Sequence, residues 1–171
     1  MRPYWGKVIE LLDVLAYIVK QSDPDGPELY FTISNSYKRS RKSSDLVQQA
    51  NENCPPAERN GFSDIYTPLE GILSKYKDKM DDHQSHQQPT SFLSRLAGPS
   101  KELRKLSLYI FTDAAWQPKS DAEGPIQSLV NKLMALDKAK DQVGIQFIRF
   151  GYDREGIEHL SRLDSGLHLQ R

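Results

Sequence analysis

Asp113 closes an apolar run, Leu106–Thr112, and is followed by Ala114, Ala115 and Trp116. A carboxylate at the carboxyl end of a buried strand lies where the loops of an open parallel sheet converge, and there it can hold a cation or orient a ligand. An aspartate that simply opens the turn after its strand is the plainer reading, and it stands beside the first. Thr67 precedes Pro68, Leu69 and Glu70, the form of a capping box. In that form the hydroxyl accepts from early helix amides, proline takes the first helical position and the glutamate reaches back. Capping alone accounts for Thr67. Trp116, before Gln117 and Pro118, is either an exposed anchor for a partner or an indole that packs its own loop against the sheet.

Other constellations carry less. His83 and His86, beside Asp81 and Asp82, have a short ligand-like spacing, but no second Cys or His cluster completes a four-ligand site, and a solvated loop explains them. His159 and His168 are isolated, and Cys54, ahead of Pro55 and Pro56, has no partner base. The basic run from Lys38 through Arg39, Arg41 and Lys42 could serve as a nuclear-import signal, a phosphate contact or a kinase target; a solvated approach to a helix is simpler. No glycine-rich phosphate loop, nucleophile elbow or complete metal-hydrolase motif occurs, which leaves an enzyme reading without residues beyond Asp113.

The elements that must position these residues follow from periodicity. Over residues 7–20, Val8, Leu11, Leu12, Leu15, Ile18 and Val19 recur at three- and four-residue steps and predict a helix. Asp23-Pro24-Asp25-Gly26-Pro27 stops it, and residues 29–33 read as a strand covered on both faces. Residues 35–60 read as mostly surface, with a short helix near 44–50. A helix is expected from Thr67 to about Lys79, then a polar insertion over 81–99 with a weak turn at 91–96. Leu106–Thr112, a helix marked by Ile126, Leu129, Val130, Leu133 and Leu136, and a strand over 143–150 give a β-α-β alternation. A short closing helix carries Ile157, Leu160 and Leu163. Strands and helices alternating at these lengths imply parallel pairing through right-handed crossovers, a three-layer α/β fold.

Length and charge bound the rest. A chain of 171 residues supports one domain. Its 23 Lys and Arg balance 23 Asp and Glu, so no net positive field draws nucleic acid or an anionic membrane. No stretch approaches the roughly 20 apolar residues of a membrane span, and residues 1–6 do not read as a signal peptide. The single cysteine excludes an internal disulfide framework, so a cytoplasmic setting is expected. The mean hydropathy of −0.64 is polar for a packed domain.

Three stretches together carry a family resemblance: Tyr109-Ile110-Phe111-Thr112-Asp113-Ala114-Ala115-Trp116, Tyr66-Thr67-Pro68-Leu69-Glu70-Gly71-Ile72-Leu73, and Gln142-Val143-Gly144-Ile145-Gln146-Phe147-Ile148-Arg149-Phe150-Gly151. In order and spacing they resemble the von Willebrand factor A-like domain in its fungal intracellular form, as does Leu163-Asp164-Ser165-Gly166-Leu167. The resemblance implies a doubly wound, mostly parallel, Rossmann-like sheet with a metal-ion-dependent adhesion site at its top. There Mg2+ or Mn2+ is held by Asp-x-Ser-x-Ser, a threonine and an aspartate, and a position is left for a partner's carboxylate. By resemblance Thr67 is that threonine and Asp113 that aspartate, and hard oxygen donors suit both ions.

The departure from the pattern is at the start, where Met1 stands in place of Asp-x-Ser-x-Ser and the first, central strand. A late start codon, a gene-model error or a real truncation would each produce it. The expectations are weak or no metal binding and either free edges on two strands or direct pairing of residues 29–33 with 106–111. With buried unpaired backbone groups costing about 1 to 3 kcal/mol each, marginal stability is expected. The sequence thus points to a non-enzymatic protein-interaction module with an impaired metal site. A small α/β enzyme or nucleotide-binding domain using Asp113, or a degenerate fragment without activity of its own, are the alternatives.

Overall fold

The apolar stripe near the start of the chain forms the helix it predicts. A computed structural model describes residues 1–56, 63–87, 103–117, 119–139 and 141–166. A 3-10 turn, Arg2–Tyr4, leads into α1 (Trp5–Val19), which buries Val8, Leu12 and Ala16 along one side. That side packs on α2 (Ser43–Glu52), whose buried Leu46 and Ala50 repeat the four-residue step. The turn after α1 requires glycine at Gly26, which has φ +85° and lies where a Cβ would stand 2.7 Å from the Ser40 carbonyl.

Residues 29–33 do not form a strand buried on both faces. Instead β1 (Glu28–Tyr30) pairs antiparallel with β2 (Tyr37–Arg39), with Leu29 opposite Lys38. The hairpin stays partly exposed because its pairing is secured by polar and aromatic contacts. Arg39 pairs with Glu28, the Tyr30 hydroxyl donates to Glu28 Oε2 at 2.7 Å, and the Tyr30 and Tyr37 rings lie 4.9 Å apart. The basic run at Lys38–Lys42 is therefore part strand, rather than only an approach to α2.

In the second half, β3 (Leu106–Thr112) and β4 (Val143–Arg149) pair in parallel, from Leu106 opposite Val143 to Thr112 opposite Arg149. The chain between them carries α4 (Glu123–Ala135). Leu106, Leu108 and Ile110 from β3, with Val143, Ile145 and Phe147 from β4, pack on a core of Leu69, Leu73, Tyr76, Met80, Ile126 and Leu129. That core belongs to α4 and to α3 (Tyr66–Gln87). The third helix runs past Lys79, so part of the expected insertion, Asp81 to Gln87, is helical; residues 88–99 lie outside the described residues, as does the turn at 91–96. The closing helix, α5 (Arg154–Gly166), adds Leu160 and Leu163 to the same core.

The architecture is mixed α/β with a small parallel sheet of two strands. The hairpin does not pair with β3, and among the described residues neither β3 nor β4 has a second neighbour strand. Nor is the outer face fully covered: Ser107, Tyr109, Gly144 and Gln146 are exposed, although parallel sheets ordinarily bury both faces. Helix α1 runs antiparallel to β3, pinned at both ends. Arg104, just before β3, donates to Asp23 Oδ1 and Asp25 Oδ2 at 2.6 Å each, while Met1 meets Asp113 at the far end.

Candidate functional site at the carboxyl end of strand β3

The chain reverses after β3 around one hydroxyl. Thr112, buried at the strand end, accepts through Oγ1 from the Ala114 amide at 2.8 Å and from Trp116 Nε1 at 3.1 Å. Ala114 is thereby held at φ +58°, a left-handed conformation that costs a non-glycine residue roughly 1 to 2 kcal/mol. The start of α5 presses on this turn through Gly156, where a Cβ would lie 2.5 Å from the Asp113 carbonyl oxygen and 3.1 Å from Ala114 Cβ. Asp153 caps that helix, its Oδ2 accepting from the Gly156 amide at 2.8 Å.

Trp116 is only 4% exposed, so it is not an exposed partner anchor; the loop-packing alternative describes it. Its indole stacks on the His159 ring and lies 6.0 Å from the Phe147 ring. The imidazole Nδ1 of His159 lies 3.4 Å from the Ala114 carbonyl oxygen, which makes an isolated-looking histidine part of the scaffold under Asp113. The loop before α3 is stitched alongside. The Ser63 amide donates to the Ala115 carbonyl and the Gln117 amide to the Ser63 carbonyl, both at 3.1 Å, forming a parallel bridge.

The capping box expected at Thr67 does not form. Helix α3 starts at Tyr66, and Asp64 supplies the cap, its Oδ1 accepting from the Thr67 amide at 3.3 Å. Ser120 organises this corner: its Oγ accepts from the Ile65 and Tyr66 amides at 2.8 and 3.0 Å and donates to Asp64 Oδ1 at 2.6 Å. The Ser120 hydroxyl, followed by that of Thr67, holds the Asp64 carboxyl below the usual carboxylate range. Glu70 faces along the helix instead of back, accepting from Ser74 Oγ at 2.7 Å and Lys77 Nζ at 3.1 Å, and these two donors lower its carboxyl in the same way.

Asp113 itself is partly exposed. Its Oδ2 pairs with the Met1 ammonium and its Oδ1 accepts from the Ala115 amide at 3.4 Å. The residues present do not fit a resident Mg2+ or Mn2+. The Thr67 hydroxyl is engaged with Asp64, and among the described residues no group of three His, Cys, Asp or Glu is assembled. His83 lies within α3 and Asp81 pairs with Lys132; the His86 side chain and His168 lie outside the described residues. Cys54 is half-buried, with its Sγ 3.8 Å from the Pro55 carbonyl oxygen.

Around this scaffold α3, α4 and α5 all begin at the end of the molecule where β3 and β4 finish. The exposed apolar side chains there are Tyr66, Ile157 and Tyr152, the last 88% exposed. A separate groove of about 1110 Å³ runs between the hairpin and α3, with Tyr30, Tyr37, Ile72, Lys75 and Thr67 on its walls; Asp113 does not line it. No helix among the described residues is long and apolar enough to cross a membrane. The chain matches no protein-family model, no curated protein and no solved structure.

Proposed function

We propose that this chain is a protein-interaction module that binds a protein partner, not a nucleic acid or a membrane, through the rim at the carboxyl ends of β3 and β4. It acts in the cytoplasm and catalyses nothing itself. We read its architecture as a doubly wound von Willebrand factor A-like domain. The support for that pattern is the parallel β3–β4 pair, with Asp113 at the end of β3 and Ser63, in the segment that leads into the Thr67-bearing helix α3, bridged to Trp116 beside it.

One observation carries the functional reading. Tyr66, Tyr152 and Ile157 stay exposed on a rim whose underlying turn is rigidly built from Thr112, Trp116, His159 and Gly156. Exposed aromatic side chains on a rigid base are the usual anchors of protein interfaces. A nucleotide-binding or catalytic reading needs a concavity at Asp113, and Asp113 does not line the groove between the hairpin and α3. Because the donor set does not suit a divalent ion, recognition runs through apolar contact rather than through a metal-bridged carboxylate.

The test is a photo-crosslinking residue placed at Tyr152, with the same residue at exposed Met134 on α4 as control. The reading predicts a discrete crosslinked protein from position 152 alone, lost when Ile157→Asp is added. Identical products from both positions, or none from 152, contradict it.

A further inference from the structure

The basic stretch between β2 and α2 holds three serines, and the structure separates them. Ser40 is half-buried and engaged: its Oγ donates to Asp45 Oδ2 at 2.8 Å and accepts from the Lys42 amide at 3.0 Å, and its own amide donates to the Pro27 carbonyl at 3.3 Å. Ser43, the first residue of α2, is half-buried. Ser44, the second, is exposed, and so are Arg41 and Lys42, three and two residues before it. We propose that Ser44 is a phosphoacceptor for a serine kinase that selects basic residues, and that the phosphate it receives caps α2. The site shares no residue with the rim.

Charge supplies the recognition. Kinases choose substrates largely by charge pattern, an acidic cleft taking up cations at fixed steps before the acceptor. The same pattern recurs at Arg104-Lys105-Leu106-Ser107, but there Arg104 is held by Asp23 and Asp25, Lys105 by Asp141, and Ser107 lies within the paired strand β3. At Ser44 the backbone is favourable as well. Lys42 is extended, with φ −95° and ψ 117°, and it gives α2 no side-chain cap. An uncapped end frays at little cost, so the first turn opens to present Ser44 in an extended chain. The Ser44 hydroxyl oxygen then attacks the γ-phosphorus of a nucleoside triphosphate. A new O–P bond forms as the bond to the β-phosphate oxygen breaks, the diphosphate leaves with that electron pair, and the hydroxyl proton passes to the kinase's base.

The same uncapped end gives the phosphate its structural effect. About two negative charges at the second position of α2 face the positive end of the helix dipole and the first-turn amides, with Arg41 and Lys42 close in sequence. Asp45 brings a like charge one residue on, but its Oδ2 is already held by Ser40 Oγ. A firmer first turn holds Leu46 and Ala50, the buried face of α2, against α1.

The experiment incubates the intact native protein with Mg2+, radiolabelled ATP and a purified kinase selective for arginine three residues before its serine, and maps the label by mass spectrometry. Label is expected at Ser44 and not at Ser40, Ser43 or Ser107, whereas synthetic peptides spanning the Ser44 and Ser107 motifs are both labelled. The initial rate at Ser44 should fall about tenfold in Arg41→Ala, whose retained fold is checked by circular dichroism. The phosphorylated chain should melt about 2 °C higher than the unmodified one. A native chain unlabelled at Ser44, Ser107 labelled as fast as Ser44 in the native chain, or a rate indifferent to Arg41→Ala would overturn the acceptor assignment; a phosphorylated chain that melts no higher would overturn the cap.

Discussion

The Trp116 indole lies parallel to the His159 imidazole, with 5.9 Å between ring centres and 5° between planes. In the plane of the ring, the indole N–H donates to Thr112 Oγ1. One tryptophan therefore joins the end of β3 to the first turns of α5, and the Asp113 backbone is threaded between them.

Thr112→Val keeps the shape of the strand end and removes the acceptor that Trp116 Nε1 and the Ala114 amide share. Leaving buried donors unmatched costs about 1 to 3 kcal/mol. The Trp116 indole N–H should exchange with deuterium faster in the variant, read by NMR, and urea unfolding should shift to lower denaturant with an unchanged slope.

Gly156→Ala puts a methyl group 2.5 Å from the Asp113 carbonyl oxygen, against backbone that cannot yield cheaply. Overpacking of this kind costs typically about 1 to 3 kcal/mol. The expected outcome is a lower Tm together with chemical-shift changes concentrated at residues 113–116. An unshifted spectrum would mean that α5 does not press on the turn.

Ser120→Ala strands the Ile65 and Tyr66 amides and removes the main donor to Asp64. In the native chain the Asp64 carboxyl is held below its ordinary value of 3.8, so its contribution to stability is present above that value and lost as pH falls through the lower, folded one. The variant should raise the Asp64 titration toward 3.8 and flatten that acid-side dependence, measured by carboxyl NMR titration and by acid unfolding followed by circular dichroism.

Much of the second half was legible because its signals are local. The near-continuous apolar run at residues 106–112 and the β-α-β alternation are read from periodicity alone, and both the strand and its parallel partner form. The hairpin was missed because Tyr37–Arg39 lies in a basic stretch whose strand character depends on Glu28 and Tyr30 across the turn. The Thr67 box looked complete, yet Asp64 and Ser120, 56 residues apart, build a better cap. At the site, Asp113 was legible from its place after a strand; Ser120, His159 and Gly156 were not, since each acts through a contact across the fold.

Tyr109 projects from the outer face of β3, whose second edge has no strand beside it among the described residues. Such an edge is a template for association between chains, and a lysine there opposes it at a stability cost within about 0.5 kcal/mol. Tyr109→Lys should slow concentration-dependent aggregation, followed by light scattering, without lowering Tm.

The central claim, that the rim at the carboxyl ends of β3 and β4 recognises its partner through apolar contact and not through a metal-bridged carboxylate, is tested most directly by titrating the labelled protein with Mn2+ and following backbone amide signals. The account predicts no saturable broadening at Thr67 or at residues 113–115. Broadening of those signals that saturates, and that Asp113→Asn abolishes while the fold is retained, would contradict it.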